Sequence, residues 1–473
     1  MNIVSNSVDT GAIHRIFTSQ KENQFRIAGS SAKERKTKLK KLRQAIEVTF
    51  RQEIREALKK DYGKPSAEVD MTEIYPVTTE IKHAISHLDS WLANHYVRTP
   101  VSLLGSSSYI KYEPKGVCLI LSPWNFPINL CFGPLSSAIA AGNTVIIKPS
   151  EYTIHISALM KKIIASIFPE NEVCVIEGGV ETSTRLLELP FNHIFFTGSP
   201  GVGKVVMQAA AKNLASVTLE LGGKSPTIVD ETADIQVAAR RTIWAKLVNA
   251  GQMCISPDYV LVHQSKKEEL VGALLKTIES FYGSNPIASN DYTRMVNERH
   301  SARVIKFVED AALRGATVLG GRNEINQNYI QPTIVTDVPL DSDLMEEEIF
   351  GPVLPVLTYN SLDEAIALIN SKEKPLALYI YSKKEKNINH IINNTRAGGT
   401  CINHNAVNFY NVNLPFGGSN NSGIGKAHGF YGFEAFSNAR SIYRQNIPGA
   451  LELLVPPYTR WKEKLIEWTV RYF

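Results

Sequence analysis

A chain of 473 residues with 44% hydrophobic and 21% charged residues is an ordinary globular composition, long enough to expect two domains rather than one small core. A formal charge of +5 is small for this length, so nucleic acid is not an expected partner. The five cysteines (Cys118, Cys131, Cys174, Cys254 and Cys401) are odd in number and form no CxxC pair, which excludes a disulfide framework and a zinc site.

Met1-Asn2-Ile3-Val4-Ser5 opens without a charged segment leading into an apolar block, and no run of about 18 apolar residues follows. Neither a signal peptide nor a membrane span is expected, and the setting is a reducing cytoplasm. Residues 33 to about 92 read as helical. Lys and Arg crowd 33–41, but Leu39, Leu42, Ile46, Phe50, Ile54 and Ala57 recur at helical spacing, so the basic side chains form a solvated face. Gly63 and Pro65 stop that helix, and Val69, Ile74, Val77, Ile81, Ile85 and Leu88 make one face of the next. Residues 101–104, 105–108 and 109–112 predict a hairpin with a small-residue turn, a candidate dimerisation arm.

From Gly116 the pattern is strand–helix–strand. Short apolar runs fall at 117–121, 144–147, 172–176, 193–196 and 217–221, with helical stretches at 135–141, 154–168 and 202–213 between them. Such strands predict a parallel sheet covered on both faces, with ligands at its carboxyl edge, in the loops 122–127, 148–151 and 197–203. A second α/β unit runs from Ser225 to about Asn403, with strands at 227–229, 259–262, 353–358 and 376–381. The end of the chain holds a glycine-rich loop, a strand near 441–445 and an amphipathic tail in which Trp461, Leu465, Trp468 and Tyr472 fall at helical spacing among Arg460, Lys462, Lys464 and Arg471.

Several motifs carry chemistry. Gly251-Gln252-Met253-Cys254 offers one thiol on a glycine-led turn, and the other four cysteines sit in or beside apolar runs as small core residues. Gly198-Ser199-Pro200-Gly201-Val202-Gly203-Lys204 approaches a P-loop, but Val205 lacks the hydroxyl that would hold Mg²⁺; a turn for a phosphate or pyrophosphate, or a plain strand-to-helix turn, remains. Lys148-Pro149-Ser150-Glu151 suits either ribose hydroxyls or a capped helix start. Glu220, at a strand end before two glycines, is either a paired structural carboxylate or a base raised by burial. Residues 346–352 place an acid run before Phe350 and a Gly-Pro stop, and 414–419 form a glycine-rich loop around Phe416.

In this order, SPWNFP, KPSE, FTGSPGVGK, LELGGKSP, GQMC, EEIFGP and LPFGG resemble the aldehyde dehydrogenase superfamily over roughly residues 20 to 447. The short N-terminus, residues 240–244, 256–259 and 374–379 are most similar to its class 3, or fatty-aldehyde, branch. The resemblance implies an α/β fold: a Rossmann-like cofactor domain (1–94 and 115–224), an α/β catalytic domain (225–404), a bridging and oligomerisation region (95–114 and 405–447), and a tail (448–473). It implies an NAD- or NADP-dependent homodimer that oxidises an aldehyde to the carboxylic acid. Cys254 matches the nucleophile, Glu220 the base that hydrolyses the thioester, and Asn125 an oxyanion donor together with the Cys254 N–H. A free thiol is only a few per cent ionised at neutral pH, so the site is expected to help it ionise. Lys148 and Glu151 match the adenine-side ribose site, Gly198, Ser199 and Gly203 the pyrophosphate turn, Glu348 the nicotinamide-ribose anchor, and Trp124 and Phe350 the walls beside the cofactor. Glu151 favours NAD, since a carboxylate near the 2′ position repels a 2′-phosphate. Phe126, Trp244, Met253 and Ile255 are expected to line a pocket for an apolar aldehyde. Residues 404–413, with Phe409 and Tyr410 among four asparagines, depart from the class 3 pattern. The tail is a candidate lid, dimer contact or interfacial membrane helix. Rival readings are a coenzyme A-acylating dehydrogenase, disfavoured by Glu220; a catalytically retired scaffold, disfavoured by the intact Asn125, Glu220 and Cys254; and a thiol hydrolase, which would need a histidine base that has no counterpart close in sequence to Cys254.

Overall fold

The computed structural model describes residues 10–472 apart from 322, 325 and 326; Met1–Ser5 and Phe473 lie outside the described residues. The parallel part of the first sheet forms where the apolar runs predict. Its six strands lie side by side in the order Gly423–Ile424, Ser216–Glu220, His193–Thr197, Val117–Leu121, Thr144–Lys148 and Val173–Val175, antiparallel only at the Gly423–Ile424 edge. Strands Val117–Leu121, Thr144–Lys148 and His193–Thr197 are buried along their full length, as a sheet covered on both faces requires. Register sets Leu121 beside both Lys148 and Phe196, and Thr197 beside Glu220, so these residues form a row along one carboxyl edge.

A second, seven-stranded sheet has the order Thr317–Leu319, Thr333–Thr336, Val353–Tyr359, Tyr259–His263, Pro226–Val229, Ala377–Tyr381 and Gly399–Ile402. Only five residues, 221–225, link its Pro226–Val229 strand to the Ser216–Glu220 strand of the first sheet. The carboxyl edge of one sheet therefore abuts the amino edge of the other. Cys254 enters that joint from the second sheet, just ahead of Tyr259–His263.

The helical region is built as expected, with two π-helical turns, Ala45–Thr49 and Asp70–Ile74, that the periodicity does not reveal. Helix Thr10–Ala28 is an addition. Its buried Ile13, Ile16, Phe17, Gln20 and Ile27 keep helical spacing, so the signal is present in the sequence. The basic run 33–41 is less uniformly solvated than expected. Arg35 is buried and donates to the carbonyls of Ala140 and Ala141, satisfying the end of helix Asn129–Ala141.

The predicted hairpin exists but is displaced. Its first strand is His95–Val97, paired with Ser106–Pro114 so that Val97 faces Ser108. Residues 101–104, expected as a strand, instead turn: Leu103 N–H donates to the Pro100 carbonyl and Leu104 N–H to that of Val101. Pro100 lacks the N–H a continuing strand would need. Ser437–Gln445 pairs along the whole of Ser106–Pro114, completing a three-stranded arm.

Phe433 ties the arm to the helices. It is fully buried, with ring centroids 5.2 Å from Trp91 and 5.6 Å from Tyr112. Phe433→Ala should cost about 3–5 kcal/mol in denaturant unfolding; a loss under about 1 kcal/mol would show that this contact does not hold the two parts together.

Candidate active site

Helix Ile235–Leu247 ends in a tight turn, Val248–Gly251, that delivers Cys254. Asn249 and Ala250 both sit in the left-handed region (φ 54° and 52°), a strain of order 1–3 kcal/mol per residue that surroundings must hold. Gly251 follows at φ 75°, where a Cβ would come within 2.2 Å of the Gly351 carbonyl oxygen; only glycine fits.

Buried polar groups clamp this turn. The Asn249 side-chain amide donates to the carbonyls of Asn125 (2.9 Å) and Gln252 (3.2 Å), and its N–H donates to Glu68 (2.9 Å). Tyr62 adds a hydroxyl bond to the Asn125 carbonyl (3.0 Å). The Gln252 amide donates to Asn249 and Arg294 carbonyls and accepts from Val296 N–H. Asn125 is buried, and its amide donates to the Gln252 carbonyl at 3.0 Å, which leaves its second N–H for another acceptor. Glu68, Asn249 and Tyr62 carry no motif that singles them out, and their partners are far away in sequence.

Two cavities meet at Cys254, Glu220, Thr197 and Leu130. The first is apolar and lined by Phe126, Trp244, Met253 and Ile255, the four residues expected around an aldehyde, together with Tyr75, Phe409 and Tyr410. The second is a cleft lined by Trp124, Asn125, Gly198, Ser199, Glu348 and Phe350, and also by His300 and Arg303, which the sequence alone does not mark. Lys148, Glu151 and Gly203 lie outside that lining. Lys148 and Glu151 pair with each other at 2.8 Å one strand away, and Gly203 packs closely on Leu221.

The cleft's groups suit a dinucleotide. Ser199 caps helix Pro200–Ala211 by accepting from Val202 N–H, and Gly198, Ser199 and Pro200 bring the helix start, the end that favours an anion, to the cleft wall. Trp124 meets His300 at 5.0 Å and Phe350 at 5.5 Å, forming an aromatic wall. Phe350 is held at φ 49°. Arg303 donates to the Glu348 and Ile349 carbonyls, and Lys224 to those of Leu344 and Glu347, so the acidic segment is strapped from both sides.

The electrostatics are unusual. Glu220 is buried, neither carboxylate oxygen has a hydrogen-bond partner, and burial pushes its carboxyl well above the ordinary range, only partly opposed by Lys426. The Lys426 amine instead donates to the carbonyls of Gly417 and Gly418, in the glycine-rich loop that abuts Glu220. Burial also raises Glu348 to about 8, with Asp258 adding to it. Burial first, then the carboxylates of Glu348 and Glu220, push the Cys254 thiol up to about 12, although Cys254 keeps part of its surface open to the cavities. The expectation that the site helps the thiol ionise is therefore reversed for the free protein. Only the backbone N–H groups of Cys254 and Ile255 act in the opposite direction, and burial outweighs them.

Residues 5–442 match the model of the aldehyde dehydrogenase family. The chain is 47% identical over 424 residues to the 4,4'-diaponeurosporen-aldehyde dehydrogenase of Staphylococcus aureus, covering 90% of this chain and 92% of that one. It is 42% identical over 424 residues to mouse (Mus musculus) aldehyde dehydrogenase family 3 member B2, covering 88% and 87%. Among solved structures, the substrate-bound state of Staphylococcus aureus AldH superposes with a TM-score of 0.92 at 44% identity, covering 97% of this chain and 99% of that one.

Glu348→Gln should lower the Cys254 pKa, because it removes a charge that opposes the thiolate. Iodoacetamide should then alkylate Cys254 about three- to tenfold faster at pH 9, the effect of half to one unit. The gap should shrink toward pH 7, where Glu348 of the parent protein is already protonated. Equal rates at pH 9 would contradict this coupling.

Proposed function

Since this chain belongs to the aldehyde dehydrogenase family, with class 3 members among its relatives, we propose that it oxidises an apolar aldehyde to the free acid through a covalent Cys254 adduct. The observation that carries this reading is the joint itself: thiol and carboxyl lie where an apolar cavity meets a dinucleotide-sized cleft. The aldehyde lies in the first cavity with its carbonyl carbon against the sulfur. Attack moves charge from sulfur to the carbonyl oxygen, where the free Asn125 N–H and the Cys254 backbone N–H receive it; one such donor is worth roughly 3 kcal/mol. A thiol that resists ionisation is compatible with this, because its proton passes to solvent as the carbon–sulfur bond forms and the charge moves at once to the carbonyl oxygen. NAD or NADP, when bound in the cleft, supplies the acceptor for the hydride that leaves the adduct. Glu220 then takes a proton from water as that water attacks the thioester, and the acid departs as the Cys254 thiol is restored. Its unpartnered, raised carboxyl suits a general base working near neutral pH.

In this reading the six-stranded sheet carries the cofactor, and Ser199 at the helix start, Gly203, Glu348, Phe350 and Trp124 hold it. The Lys148–Glu151 pair takes the adenine-side ribose, with Glu151 favouring NAD. Retention of Glu220 supports hydrolysis over transfer to coenzyme A. The arm's outer strand Ser437–Gln445, largely exposed, supports a homodimer built by extending that sheet. Helix Arg460–Tyr472 exposes Trp461, Trp468, Val470 and Tyr472 beside four basic side chains, which supports peripheral contact with an anionic membrane. Among the described residues no helix is long and apolar enough to cross a membrane. The free cysteines suit a reducing cytoplasm.

Cys254→Ala should abolish NADH formation from every aldehyde, by at least about a thousandfold, without loss of fold; residual turnover near the parent rate would remove Cys254 from the chemistry. With the parent enzyme, activity should rise from acetaldehyde toward long-chain alkanals, and a preference for the shortest would contradict the apolar pocket. Deletion after Pro457 should abolish sedimentation with anionic vesicles, whereas unchanged sedimentation would exclude the tail as the contact.

A further inference from the structure

Besides Glu220, the wall of the apolar cavity holds a second unpartnered polar place. Glu80, in helix Tyr75–Leu92, and His428, at the start of helix Gly429–Ala435, both line the cavity that holds Cys254. Glu80 is only 7% exposed; one of its oxygens, Oε2, accepts the Gly429 N–H at 3.0 Å. The other, Oε1, is buried with no hydrogen-bond partner, and so is Nδ1 of His428. The two orphaned atoms face each other at 3.6 Å, too far for a hydrogen bond.

The pair is held apart rather than loosely disposed. The His428 ring stacks on Phe416 (5.0 Å between centroids, 17° between planes) and meets Phe409 edge-on at 4.6 Å, while its backbone sits at φ 73°. Burial raises Glu80 to about 7 and lowers His428 to about 4, so the imidazole is neutral and cannot close the gap as a full ion pair. A hydroxyl oxygen reaching both atoms from the cavity they line would donate to one and accept from the other.

We propose that Glu80 and His428 form a polar subsite that binds a hydroxyl group carried on the chain of the aldehyde substrate. This rests on the proposed oxidation of an apolar aldehyde and narrows it: the preferred substrate is a long aldehyde that is hydroxylated some way from its carbonyl. Discrimination follows from what a plain alkyl chain does at this place. It covers two polar atoms without satisfying either, whereas the hydroxylated chain satisfies both.

The test compares dodecanal with a series of monohydroxydodecanals, the hydroxyl at each carbon from C7 to C12, by kcat/KM for NADH formation. One or two adjacent positions should exceed dodecanal by roughly five- to tenfold, about the worth of one net hydrogen bond. His428→Phe keeps the stack on Phe416 and removes both ring nitrogens, and Glu80→Gln keeps an acceptor for Gly429. Each should bring the ratio of hydroxylated to plain substrate toward one. Because the readout is a ratio within one protein, partial loss of fold lowers both rates and leaves it unchanged. Dodecanal matching or exceeding every isomer would overturn the subsite, leaving a resident water as the occupant of the gap. A preference that survives in both variants would overturn it equally. Failure to oxidise dodecanal or any isomer would instead contradict the proposed function, and this inference with it.

Discussion

A carboxyl and a thiol share one buried joint, and among the described residues only Lys426 opposes the burial of the carboxyl; much of the surrounding structure tolerates that. Burying an unpaired charge is expensive, so both groups are pushed toward their neutral forms. The nearest cation, Lys426, is spent on two backbone carbonyls of the glycine-rich loop. A site of this kind is chemically quiet until a substrate brings an atom that can accept the charge, and the donors for that atom are backbone and amide N–H groups already fixed in place.

Fixing them is the work of the long-range polar network. The left-handed turn at Asn249 and Ala250 is strained, and it is balanced by bonds from Glu68, Asn125 and Gln252 that reach across 124 to 181 residues or just along the turn. The five-residue link between the sheets limits how far the carboxyl edge bearing Glu220 can move relative to the turn bearing Cys254. Rigidity here is set by topology and by hydrogen bonds rather than by packing alone.

The parts legible from sequence are those that local pattern determines. Strand 117–121 appears with the expected bounds and the other expected core strands within a residue or so, because a strand buried on both faces must be apolar along its length, while the equally buried Thr333–Thr336, with a threonine at each end, carries too short an apolar run to stand out. The hairpin was misplaced because Val101 and Leu104 look like strand residues yet stand 62% and 72% exposed after Pro100 has broken the pairing. Helix Thr10–Ala28 likewise carries its helical period in Ile13, Ile16, Phe17, Gln20 and Ile27. The raised Cys254 thiol is not legible in the sequence: it depends first on burial made by the fold, then on Glu348, some ninety residues beyond Cys254, arriving near the sulfur. Glu80 and His428 are similarly remote in sequence and meet only through the fold.

The most direct test of the covalent account is peptide mapping of Glu220→Gln after a single exposure to a long-chain aldehyde and NAD, quenched in acid. The account predicts an NADH burst close to one per site, slow turnover afterwards, and an acyl mass on the peptide containing Cys254. A burst with no acylated peptide, or turnover at the parent rate, would contradict it.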